Sequence, residues 1–301
     1  MKMSLAELKE SSVTFQLEKR APTSLWRDAI RRLLRNKLAI VGMVILGVFL
    51  LCALFAPLIA PHDPLEQRLV LRRQPPSRQY PFGLDDLGRD ILSRVIFGAQ
   101  LSLRVGVLSV SLAIIFGTLL GLVSGYLGGW ADNLIMRLMD IALAFPAMLL
   151  AIAIVAILGP GLMNMLIAIA LVSIPTYARL VRAQVLSVKA QDYILAARAI
   201  GVTHSRILFR NILPNSITPI IVQGTLGIAS AILDAAGLSF LGLGAQPPTP
   251  EWGAMLGEGR FSMFTAPHII IFPGLAIMLT VLGFNLLGDG LRDALDPRLR
   301  M

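Results

Sequence analysis

The chain has 301 residues, 55% of them hydrophobic and 15% charged, with a formal net charge of +9. Soluble domains carry about 25% charged residues, so the composition excludes an ordinary soluble enzyme, a disordered chain and a disulfide-built secreted scaffold. Residues 38–61, 105–131, 141–178 and 269–288 hold no charge, and 211–250 hold one, Asp234. Each run can cross a hydrocarbon core of ~30 Å, which takes about 20 helical residues. The chain reads as an all-α polytopic membrane protein.

Residues 1–37 form a basic N-terminal segment that ends in an amphipathic helix. Trp26, Ile30, Leu33 and Leu34 share one face of it, and Arg27, Arg31, Arg32 and Arg35 lie off that face. Such a helix rests at a membrane interface, and its cations hold the N-terminus in the cytoplasm. The run 38–60 is too long for a signal-peptide core and is expected to be an uncleaved first span. Cys52 lies inside it with no second cysteine to pair with, so it packs as a small hydrophobe.

A polar segment of about 40 residues, 61–100, is expected outside the cytoplasm. Its six arginines against five acids run against the positive-inside bias, although near-balanced charge constrains topology weakly. The second span runs from Leu103 to Tyr126. Gly117, Gly121 and Gly125, spaced by four, fall on one face of it, and such a stripe lets another helix backbone come close. Whether that helix belongs to this chain or to a partner is open.

Gly159-Pro160-Gly161 divides 141–178 into spans three and four. A basic block with Arg179, Arg182, Lys189, Arg198, Arg206 and Arg210 follows, of the kind retained in the cytoplasm. Span five covers about 217–236, and Asp234 lies either hydrated at its outer end or on the outer gate of a pore. Span six covers about 268–287, before a basic tail (291–301) with Arg292, Arg298 and Arg300. The expected count is six spans with both termini inside.

Gly83-Leu84-Asp85-Asp86-Leu87-Gly88-Arg89-Asp90 has the glycine spacing of a phosphate-binding loop. Arg89 and Asp90 replace its lysine and hydroxyl residue, and three aspartates would repel phosphate. His62, His204 and His268 lack ligand spacing, so no metal site is expected. No nucleophile or paired-carboxylate constellation marks an enzyme.

Between spans four and five, residues 193–200 read as a short helix stopped by Gly201. Thr203 is expected to N-cap a second helix through Asn211 that Pro214 ends. On spacing alone, two short helices meeting at a glycine are either a solvated connector or a knob for docking a soluble partner.

Leu195-Ala196-Ala197, Gly201 and Leu213-Pro214 resemble the coupling loop of bacterial ABC importer membrane subunits, whose pattern is E-A-A-x3-G-x9-I-x-L-P. Leu195 stands at the glutamate, and Asn211 at the isoleucine. Residues 82–94, 235–244, 246–256 and 288–298 are similar to the C-type permease of dipeptide and oligopeptide importers, so the resemblance covers roughly 25–300. It implies a type I importer permease fold, with a transmembrane domain over 101–290 and a coupling loop at about 190–214. It also implies a bacterial inner-membrane subunit forming half of a translocation path for short peptides, glutathione or nickel chelates. The implied partners are a second permease, two ATP-binding cassette subunits that hold ATP and magnesium, and an extracytoplasmic binding protein. A self-contained secondary transporter or channel is the alternative, and it would favour an inverted repeat and charges within the spans. Nucleic acid is not an expected partner.

Overall fold

The computed structural model of the chain describes residues 25–295. Their regular structure is helical, with one isolated bridge between Leu84 and Asp90. In chain order the helices are α1 (Leu25–Leu33), α2 (Lys37–Leu54), α3 (Ala56–Ile59), α4 (Ile91–Leu127), α5 (Gly129–Ala144), α6 (Ala147–Leu158), α7 (Leu162–Lys189), α8 (Asp192–Ala199), α9 (His204–Ile207), α10 (Leu213–Phe240), α11 (Trp252–Gly259) and α12 (His268–Leu295). In α1, Ala29 is buried and Ile30 is exposed. The side chain of Trp26 and the tail residues Arg298 and Arg300 lie outside the described residues.

Among the described residues, α2, α4, α7, the stretch His204–Phe240 and α12 are each long and apolar enough to cross a membrane. The expected third span departs from this pattern. It is a bent pair, α5 and α6, meeting at 95°, so the count reaches six only if that pair is one passage. The cause is Pro146, whose ring disfavours a helical conformation at the preceding residue. Phe145 accordingly leaves the helix at φ −90°, ψ 141°. The 12 residues of α6 then extend only ~18 Å, short of a full crossing.

Helix α4 starts well before the expected Leu103. Asp90 caps it by accepting from the Ser93 amide at 3.0 Å, and its first three turns lie buried in an end cap. Trp252 of α11 is fully buried there and donates its indole N–H to the Val95 carbonyl at 2.9 Å. Gly98 admits that ring: a Cβ at position 98 would stand 2.6 Å from Trp252 Cδ1. These turns hold the buried Arg94, so the uncharged run alone places the helix start late.

The glycine stripe packs against α7 of the same chain. A Cβ on Gly117 would lie 2.6 Å from Tyr177 Cβ, one on Gly121 2.5 Å from the Ala178 carbonyl, and one on Gly125 2.8 Å from Val185 Cβ. Beside this contact, Val105, Val110 and Ala113 join Met165, Ile169, Tyr177 and Leu238 in the central apolar cluster. A second glycine pair closes α2 on α12, where Gly42 faces the Gly283 carbonyl.

Gly121→Ala should destabilise the protein by about 1–3 kcal/mol, since the α7 backbone has to move, and Gly121→Leu should cost more. Gly47→Ala, where nothing lies within 4 Å, should be neutral or stabilise by up to ~1 kcal/mol. Thermal unfolding of purified protein compares them, and equal tolerance of both alanines would remove the packing role.

Candidate functional site

The strongest candidate is the knob that α8 and α9 build where α7 and α10 end. Helix α8 closes on Gly201 at φ +78°. The Gly201 amide donates to Arg198 O at 3.0 Å and the Val202 amide to Ala197 O at 3.0 Å. These two bonds are the pairing that terminates a helix through a left-handed residue. A Cβ at Gly201 would meet nothing within 4 Å. Its glycine therefore serves backbone conformation and not a close approach.

Three isoleucines root the knob. Ile194 of α8, Ile207 of α9 and Ile212 are fully buried against Leu122, Val181 and Val185. The remaining surface is apolar and open. Leu195 and Ala196 are exposed, Tyr193 and Phe209 are about half exposed, and Ile200 is 81% exposed. Ala197 is half-buried, Leu213 packs onto the isoleucine cluster, and Pro214 is exposed.

Two expectations about the knob need correction. Thr203 occupies the position before α9 with extended geometry, but its side chain makes no capping bond. Pro214 does not end the second helix. Residues Leu208–Ile212 form a π turn, the Leu213 amide bonds the Leu208 carbonyl, and Pro214 sits in the first turn of α10. A widened turn changes the register ahead of the proline ring, so the chain stays helical from His204 to Phe240. Asn211 is half-buried and its carbonyl accepts Asn215 Nδ2 at 2.6 Å, while the adjacent Ile212 is the buried residue.

Tyr126, at the end of α4, ties the knob to the helix pair below it. Its hydroxyl lies 2.6 Å from His204 Nδ1 of α9. Its ring lies 5.5 Å from the Arg198 guanidinium of α8 and 5.6 Å from Lys189 Nζ of α7. Lys189 also donates to the Tyr126 carbonyl at 2.7 Å. One aromatic ring thus contacts three elements. Nearby, Arg182 of α7 grips Asp132 of α5 through two bonds at 2.6 and 2.7 Å, and Ser124 donates to the same carboxylate. Nothing in residue spacing brings Tyr126 to the knob; only the α4–α7 packing does.

The opposite end carries the cap, where the sequence motif resembling a phosphate loop closes on itself. Asp85 Oδ1 accepts the Leu87 and Arg89 amides at 2.9 and 2.8 Å. The amides that could cradle an anion are thereby occupied. Arg89 bonds Asp85 at 2.6 Å and Glu258 at 2.5 Å, and buried Arg94 reaches the same Glu258 at 3.1 Å. This ion cluster was not legible in sequence, because Glu258 lies 164 positions from Arg94. Arg68, at the cap's rim, is held above its ordinary guanidinium value by its bond to Glu66. Asp234 is on α10 and half-buried.

The family of binding-protein-dependent transport system inner membrane components matches residues 117–301. The chain belongs to this family. An N-terminal transmembrane domain of oligopeptide transport permease C matches residues 24–76. This inner membrane component is 56% identical over 277 residues to the dipeptide transport system permease protein DppC of Alkalihalophilus pseudofirmus, covering 92% of the chain and 91% of the relative. It is 53% identical to a di/tripeptide permease protein DppC of Pseudomonas aeruginosa, covering 88% and 89%. It is 50% identical to the glutathione transport system permease protein GsiD of Pectobacterium atrosepticum, covering 91% and 92%. Its fold is shared with a chain of the inward-facing MetNI methionine ABC transporter, at TM-score 0.55 and 18% identity over 68% of this chain and 97% of that one. An amino acid ABC transporter chain aligns at TM-score 0.51 and 17% identity, over 66% and 92%.

Tyr126→Phe removes one hydrogen bond, worth about 1 kcal/mol, and keeps the ring. Tyr126→Ala also removes two cation–ring contacts of ~0.5–1 kcal/mol each. Amide exchange across residues 192–207 should quicken modestly in the first variant and strongly in the second. Unchanged exchange in both would show that Tyr126 does not hold the knob.

Proposed function

We propose that the chain is one of two permease subunits of an ATP-driven importer of short peptides, and that the knob receives the motion of a cytoplasmic ATPase. The observation that carries this reading is the knob itself. It buries three isoleucines as a root while leaving Tyr193, Leu195, Ile200 and Phe209 open beside a rigid glycine bend. An exposed apolar patch on a short structured projection is a docking surface for another protein.

On this reading the knob and both termini face the cytoplasm, in keeping with the basic block around Arg198, Arg206 and Arg210, and the cap faces outward. ATP and magnesium bind the partner ATPases, and this chain supplies no catalytic group. A homologous second permease completes the path, and a binding protein delivers substrate at the cap. Closure of the ATPases pushes the knob, and the α4–α7 pair tilts as a unit, which alternates access. Dipeptides are the favoured substrate from the relatives, and glutathione, itself a short peptide, fits the same description.

Gly201→Glu should abolish uptake with insertion intact. A side chain in the left-handed region costs about 1–2 kcal/mol, and the added carboxylate lies beside the docking patch. Gly201→Asn, which tolerates that conformation, should retain much of the transport. Copurification of the ATPase subunits and labelled dipeptide uptake measure both, and normal uptake by Gly201→Glu would defeat the coupling role.

A further inference from the structure

On helix α10, Asn215 bonds Tyr193 and Ser239 bonds Met165. Thr218, without a hydrogen bond among the described residues, stands about 140° around the helix from Gln223. Ser216 and Thr225 turn their hydroxyls back onto their own helix, donating to the Ile212 and Ile221 carbonyls at 3.0 Å each. Gln223, Ser230 and Asp234 do not. Among the described residues nothing gives their side chains a hydrogen bond or an ion pair, and none of their polar atoms is enclosed. Ser230 is exposed, and Gln223 and Asp234 are half-buried.

Their spacing aligns them. Offsets of seven and eleven residues are about two and three helical turns, so the three side chains form one line along the helix. The residues flanking that line are packed. Leu226 meets Gly288 of α12 on one side, and Gly227 lies under the Tyr177 hydroxyl of α7 on the other. The line therefore runs through an open seam between α12 and α7. From position 223 to 234 it rises ~16 Å, about half of a hydrocarbon core. Polar groups without partners are not left against lipid tails, so this seam meets water or a polar surface.

We propose that Gln223, Ser230 and Asp234 form one hydrated wall of the translocation path, with Asp234 receiving the protonated amino group of the passing peptide. This rests on the importer reading above. Asp234 is the one ionisable residue of α10 and stands six residues from its outer end, where an arriving substrate meets it early. Below it, Ser230 and Gln223 offer neutral donors and acceptors to peptide amides. A single charged contact followed by neutral ones attracts a cationic group without trapping it, as passage requires.

The test uses the complete importer, with Cys52→Ser and single cysteines placed at 223, 230 or 234. All three should react with a membrane-impermeant maleimide, and dipeptide supplied with the binding protein and ATP should slow the reaction several-fold. Asp234→Asn should lower dipeptide uptake about tenfold and Asp234→Glu should restore most of it, while ATPase copurification stays at the wild-type level. Reaction with lipid-soluble reagents alone, quantitative shielding by crosslinks to the second permease, or wild-type uptake by Asp234→Asn would overturn the proposal. If ATPases fail to copurify with the unmodified chain, the importer reading itself fails. Normal ATPase association with the wrong labelling pattern removes only the wall.

Discussion

The approach of α4 to α7 is the contact on which the rest of the molecule depends. Within a bilayer there is no hydrophobic gain in bringing two apolar helices together, so association rests on close packing. Gly117, Gly121 and Gly125 provide it by letting the α7 backbone occupy the space that side chains would fill. Tyr177, Ala178, Val181 and Val185 are buried as a result. The same seam fixes the height of α7 relative to α4, and both ends of the molecule are set by that height.

Helix α4 has 37 residues and extends ~55 Å, longer than the membrane is thick. Its excess length projects into the cap, where Trp252 packs on Gly98 and bonds Val95. Its other end delivers Tyr126 to the knob. The helix is thus continuous and held at one end by a buried indole and at the other by a multiply bonded ring. The Arg182–Asp132 grip attaches α5 to the same unit. Packed elements therefore run from Ile194 and Ile207 to the cap through α7 and α4.

The spans were legible wherever burial and lipid contact produce the same signal, an uninterrupted apolar run. They were misjudged where backbone chemistry decides. Pro146 bends a run whose hydropathy never falters, and Pro214 fails to stop a helix because a π turn precedes it. Of the site, the Ala196-Ala197-Gly201 pattern located the knob, and the φ of Gly201 supplies its physical reason. Tyr126, Arg94 and Glu258 had no local signature, since each acts through partners distant in the chain.

The arginines of the cap illustrate how folding changes the meaning of a charge. Read as sequence, six arginines between positions 61 and 100 oppose placing this segment outside. In the fold, Arg68 pairs with Glu66, Arg73 with Asp86, Arg89 with Asp85, and Arg94 with Glu258. Arg89 and Arg94 are also almost fully buried, where a lone cation would be unsustainable and a paired one is held in place. Four of the six positive charges are thus structural links with an acid beside each. Pairing explains how the folded cap holds these arginines, whereas the positive-inside bias counts Lys and Arg themselves and gives acids little weight. Around the knob, by contrast, Arg198 and Lys189 lie against the Tyr126 ring. Charge in this chain therefore serves structure at the cap through ion pairs and at the knob through an aromatic ring.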